Sequence, residues 1–170
     1  VNLTVAPWLT NLTISPSSVV GGNRITGRVT LFRPAIAGMT IGVSTSDPSK
    51  AYAVDSAGNK INSFVVPTGN TTATFDVLTR GVDAKTNVTI LVKVTTPNLQ
   101  VTRSQTLQIV PASLRLVSFQ PNRVNGNEKS TGTVLLDGEV GPTPVRVDLK
   151  QGSTGNPPVD VTFANGQQTF

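Results

Sequence analysis

Between residues 7 and 110, apolar side chains recur at every second position in several short stretches, with turn-forming residues between them. Ile25, Gly27, Val29 and Leu31 fall on one side of an extended chain, and Thr26, Arg28, Thr30 and Phe32 on the other. Val88, Ile90, Val92 and Val94 alternate with Thr89, Leu91, Lys93 and Thr95, while Met39, Ile41 and Val43 alternate with small or polar neighbours. Each stretch reads as a strand with one buried face. Leu9 to Ser15, Ser63 to Val66, Thr72 to Thr79 and Val101 to Ile109 bring the set to seven strands. Turn residues punctuate it at 20–23, 46–49, 67–70 and 96–98. No stretch keeps a 3.6-residue period long enough for a helix beyond a turn or two.

Sliding the chain along itself by 104 or 105 residues brings two stretches into register. Leu3 falls on Leu107, Pro7 on Pro111, Leu9 on Leu114, Pro16 on Pro121, Gly21 on Gly126, Gly27 on Gly132, Val29 on Val134 and Leu31 on Leu136. After a deletion in the second stretch around Gln151 to Pro158, Gly69 falls on Gly166. The shared features are Pro breaks, Gly turns and alternating apolar positions, which two examples of one β fold would keep. In this frame residues 1–6 are the end strand of a preceding repeat, 7–110 are one complete sandwich, and 111–170 are the first part of a second. The junctions at Pro7 and Pro111 leave little flexible linker, so consecutive units are expected to stack stiffly.

The run Leu12-Thr-Ile-Ser-Pro-Ser-Ser-Val-Val-Gly-Gly-Asn, then Ile25-Thr-Gly-Arg-Val-Thr-Leu, then Val65-Val-Pro-Thr-Gly-Asn-Thr-Thr-Ala-Thr-Phe, resembles the Thr- and Val-rich immunoglobulin-like or fibronectin type III-like tandem repeats of secreted and cell-surface bacterial proteins. Phe119-Gln-Pro and Ser130-Thr-Gly-Thr-Val-Leu-Leu echo it in the second stretch. The resemblance implies an all-β chain of tandem immunoglobulin-like β-sandwiches, one complete and one partial, in an extracellular or cell-surface setting. It rests on turn and strand chemistry, and so speaks to fold before activity.

Composition narrows the chemistry. Val and Thr supply 24 residues each of 170, and there is no His and no Cys. Imidazole-based triads, structural zinc sites and disulfides are therefore excluded, and no cofactor, metal site or catalytic residue is assigned. Residues 7–110 hold four Asp and no Glu: Asp47, Asp55, Asp76 and Asp83. Asp47 and Asp55 fall in the loop after the third strand without the spacing of a calcium loop, and read as turn formers. Asp137-Gly138-Glu139 likewise reads as a tight turn. The net charge of +5 comes from 14 basic and 9 acidic residues and is spread without basic runs or interleaved aromatics, so nucleic acid is not an expected partner. No apolar run is long enough for a membrane helix, so this segment is not expected to insert in a membrane. A start on Val1 in mid-pattern is expected from a processed or excised chain.

Asn2, Asn11, Asn70 and Asn87 open Asn-x-Thr sequons, the first, second and fourth on outward positions and Asn70 in a turn, which makes them glycosylation acceptors where a host supplies the machinery. Trp8, with Pro7 and Pro111, is placed to pack between units, since a large amphipathic ring beside a short linker can fix an angle. Phe64 and Phe75 share strand parity with Val66 and Val77 and are expected in the core. Leu3 and Val5 match Leu107 and Ile109 and are candidates for a donor strand that completes a neighbouring chain. The expected function is a non-enzymatic structural segment of an extracellular multi-repeat surface protein: a stalk, fibre or adhesin. Its expected partners are neighbouring repeats, copies of itself, or a surface glycan or protein ligand. The alternatives are a filament subunit completed by strand exchange, or a carbohydrate-binding module attached to a secreted enzyme, which would need an exposed aromatic row or a loop cleft.

Overall fold

In a computed structural model of the chain, the described residues are 8–36, 39–96, 99–126, 128–149 and 159–169. They contain thirteen strands and no helix. In chain order these are Leu9–Ser15 (β1), Ser18–Val20 (β2), Arg24–Leu31 (β3), Thr40–Thr45 (β4), Ala51–Val54 (β5), Ser63–Val65 (β6), Thr72–Thr79 (β7), Thr86–Thr96 (β8), Leu99–Val110 (β9), Leu114–Gln120 (β10), Thr131–Leu136 (β11), Val145–Leu149 (β12) and Val159–Phe163 (β13). The chain divides into two compact units, one drawn from residues 1–19, 24–79 and 86–109, the other from 20–23, 80–85 and 110–170.

The first unit has a four-stranded sheet in the order β1-β3-β7-β5 and a five-stranded sheet in the order β2-β9-β8-β4-β6. The alternation in sequence decides what each sheet presents to the other. Leu12, Ile25, Val29, Leu31 and Val77 are buried from one sheet, and Ile41, Val43, Val88, Ile90, Val92, Leu107 and Ile109 from the other. This is the immunoglobulin-like sandwich. The leading strand serves both sheets: β1 pairs with β3, the chain bends at Pro16 and Ser17, and β2 then joins β9.

Two strands carry no sequence signal. β2 is three residues long, and β5 is Ala-Tyr-Ala-Val between two turns, with little β-branched content to mark it. β5 nevertheless buries Ala51, Ala53 and Val54 along β7. β1 departs from strict alternation through a bulge between Leu9 and Asn11, which lets Leu9 and Leu12, three residues apart, both face the core. The Thr10 carbonyl beside the bulge accepts from Arg103 Nε of β9 at 3.0 Å, and the Leu12 carbonyl from Gln105 Nε2 at 3.1 Å.

Gly27 sits directly opposite Phe75 on β7, and a Cβ built on Gly27 would fall inside the Phe75 ring. The bare backbone leaves the space that the ring fills, and Phe64 of β6 stacks on that ring at a centroid distance of 4.9 Å. Phe75 is buried, whereas Phe64 is half-buried, so the expected pair of core rings is one core ring and one at the rim.

In the second unit β10 pairs with β11 and β12 with β13, around Val134, Leu136, Val140 and Phe163. The β10–β11 register is that of β1–β3 displaced by 105 residues: Leu12 opposite Val29 becomes Val117 opposite Val134, and the bulge recurs between Leu114 and Leu116. The loop hydrogen bonds follow. Leu31 N–H to Thr71 O becomes Leu136 N–H to Gln168 O, and Ala35 N–H to Asn70 O becomes Val140 N–H to Gln167 O. Gly69 N–H to Ala35 O becomes Gly166 N–H to Val140 O, both glycines having positive φ. The bridge from Leu135 to Thr169 corresponds to the first pair of β3 with β7, Thr30 with Thr72. Among the described residues the second unit has no counterpart of β8 or β9. Accordingly Leu9 is fully buried, and its counterpart Leu114 is 53% exposed.

Two substitution pairs test this packing by urea denaturation. Gly27→Ala is expected to destabilise the first unit by about 1–3 kcal/mol through overpacking against Phe75, and shortening that ring with Phe75→Leu to recover part of the loss. Leu9→Ala should cost about 2–5 kcal/mol, against less than about 0.5 kcal/mol for Leu114→Ala.

Candidate functional site

The turns that hold β5 at either end are built by aspartates. Asp47 accepts from the Ser49 N–H at 3.1 Å and the Ser49 hydroxyl, and pairs with Lys50 Nζ at 2.8 Å. Bonding to Lys50 first, then to Ser49, lowers its carboxyl from the ordinary 3.8 to about 2. Asp55 accepts from the Asn59 N–H at 2.8 Å and from Asn59 Nδ2 at 3.1 Å, and these bonds hold its carboxyl below the ordinary range. The Asp55 N–H donates to the Asn59 carbonyl, the Gly58 N–H to the Asp55 carbonyl, and Gly58 takes a φ of 88°. A glycine suits that backbone, since other residues adopt it at a cost. Asp47 and Asp55 thus lie at opposite ends of a strand, in place of the single loop expected from sequence.

The Asp55 turn makes one wall of a cleft of about 280 Å³ in the first unit. β5 covers β7 only over Asp76–Thr79, and beyond Val54 the chain swings away from β7 into the turn. Phe64 and Phe75 line the gap left there together with Ile61, while Asp55, Thr74 and Asp76 supply polar groups. Asp76 accepts from the Thr26 hydroxyl at 3.3 Å, and its other oxygen lies 3.8 Å from Arg24 Nη1. A loop cleft with an aromatic lining is therefore present. Sequence reasoning missed it because it depends on where the unmarked β5 ends.

A second cluster gathers around Arg33, whose guanidinium lies 5.1 Å from the Trp8 ring centroid and 5.8 Å from that of Phe32. Trp8 is half-buried and its carbonyl accepts from the Phe32 N–H, while Phe32 is 57% exposed. Pro111 is half-buried after β9. Asn11 on β1, Asn70 in its turn and Asn87 on β8 are all exposed. Asn2, Leu3, Val5 and Pro7 lie outside the described residues. In the second unit, Asp137 takes the Ser113 N–H at 2.6 Å and its hydroxyl at 2.7 Å, and Glu139 lies 3.4 Å from the Arg80 guanidinium. Among the described residues no three carboxylates converge.

No family model and no curated protein matches the chain. Among solved structures, a chain from a chaperone–tip adhesin complex of CFA/I fimbriae biogenesis is similar over 95% of this chain and 84% of its own, at 11% identity and a TM-score of 0.40. The class 5 fimbriae chaperone CfaA is similar over 94% and 84%, also at 11% identity and a TM-score of 0.40. Domains 5–6 of the S-layer protein SbsC are similar over 95% and 86%, at 12% identity and a TM-score of 0.35. The fold assignment rests on the sheets of the chain itself.

Because folded Asp47 titrates below its ordinary value, its ionised form stabilises the turn above about pH 4, and that contribution is lost as the pH falls through about 2. Carbonyl-detected NMR is expected to find its midpoint at about 2, and Lys50→Ala to move that midpoint up toward 3.8. An unmoved midpoint would remove Lys50 as the cause.

Proposed function

We propose that the chain is a structural segment of an extracellular multi-repeat surface protein, its sandwiches serving as stalk, fibre or adhesin elements. The observation that carries this reading is the register of β1–β3, repeated at β10–β11 with a displacement of 105 residues, with its bulge and loop hydrogen bonds. On this reading residues 7–110 form one unit of a tandem array, 111–170 belong to the next, and 1–6 are the last strand of a unit before it. Each unit's function is to hold its shape while linked to others, and its partners are neighbouring repeats. No catalytic role is assigned. The exposed Asn11, Asn70 and Asn87 are accessible for glycosylation, and Trp8 is assigned to packing at a unit junction.

A second reading, a filament completed by strand exchange, is favoured by one observation. Leu114 of β10 is 53% exposed, whereas its counterpart Leu9 in the first unit is fully buried. In that reading Leu3 and Val5 of another copy supply a strand.

Electron microscopy of the native polypeptide, with its intact mass measured alongside, separates the two. Single beaded rods from a polypeptide far longer than 170 residues are expected. Ordered fibres assembled from chains of about that length would overturn the array in favour of strand exchange.

A further inference from the structure

The cleft between the Asp55 turn and β7 is independent of the array reading, and its lining sets aromatic rings beside carboxylates and hydroxyls. At about 280 Å³ it holds the volume share of roughly nine water molecules at about 30 Å³ each. That is room for one small ring and its substituents. Its walls do not have to be assembled on binding. Four hydrogen bonds within residues 55–59 fix the turn, and the Phe64–Phe75 stack fixes the aromatic side. Preorganisation of this kind spares a ligand the cost of ordering the site.

We infer that the cleft binds a single saccharide ring of a glycan. The choice follows from the charge balance of the lining. A purely apolar ligand would strip water from the carboxylates of Asp55 and Asp76 and return no hydrogen bond. Arg24, 3.8 Å from Asp76, leaves Asp55 as the one uncompensated carboxylate of the lining, and a cation would reach it only in competition with the two bonds its oxygens accept from Asn59. A saccharide fits both parts. Its hydroxyls donate to the lone pairs that the two carboxylates keep and exchange bonds with the Ser56 and Thr74 hydroxyls, while the C–H face of its ring lies on Phe64. Asp55 and Asp76 orient the sugar, and Phe64 supplies the apolar contact; no bond is made or broken.

The test is an amide-shift NMR titration of the full chain with the methyl glycosides of glucose, galactose, mannose and N-acetylglucosamine. At least one is expected to give saturable shifts confined to the neighbourhood of Ser56, Ile61, Phe64 and Thr74, with a dissociation constant of about 1–10 mM for so small a ligand. Thr74 is exposed on β7, so Thr74→Trp fills the cleft without removing a core contact, and should weaken binding at least about tenfold with the remaining shifts unchanged. Phe64→Ala should do the same, with the Thr74 variant as the check that lost packing is not the cause. The inference is overturned if none of the four glycosides moves these amides, if Thr74→Trp binds as well as the parent, or if ethylammonium chloride shifts the same amides and the glycosides do not.

Discussion

The pairing of β1 with β3 settles which side chains of the leading strand reach the core, because a slip of one residue would turn all of them outward. Strict alternation cannot send both Leu9 and Leu12 inward, and the bulge at Thr10 resolves the conflict by inserting one residue. β1 is the edge of its sheet, so carbonyls on its outer side have no ladder partner, and β9 answers those of Thr10 and Leu12 from the opposite sheet through Arg103 and Gln105. The two sheets are therefore joined at this edge by polar groups as well as by apolar packing. The bend at Pro16 follows within the same stretch and delivers β2 to β9, so one short segment fixes the register of one sheet and the edge of the other.

What could be read from the residues is what alternation reports. β3, β7 and β8 have unbroken period-2 patterns, and β1 and β7 begin and end where the pattern places them. β2 and β5 were not legible: three residues give alternation nothing to count, and two alanines among four residues bring no β preference. The cleft disappeared from view together with β5, since its mouth is the point where β5 stops covering β7. Leu114 shows another limit. Its sequence position matches that of Leu9, and its exposure follows from the repeat frame, in which 111–170 are only the first part of a sandwich, and not from the residues of its own strand. Trp8 stands out in the sequence as the one tryptophan, whereas its Arg33 neighbour is brought beside it by the Phe32 N–H clasp on the Trp8 carbonyl.

The outward surface of the first unit is held by Thr, Asn, Arg and Lys on strands and by aspartate-built turns at their ends. Charge is sparse, so these turns rely on local bonds: Asp47 to Ser49 and Lys50, Asp55 to Asn59. Local bonding of this sort fixes strand ends without drawing on the core.

Gly27 and Gly132 occupy corresponding places on β3 and β11, yet the rings that cover them arrive from different strands. Phe75 reaches Gly27 from β7, whereas Phe119 reaches Gly132 from the leading strand of its own hairpin, where the first unit has Ile14. A leading strand laid against β3 with Phe119 in the place of Ile14 would bring its ring into space that Phe75 already fills, so the two hairpins share a frame and differ in the leading strand each has room for.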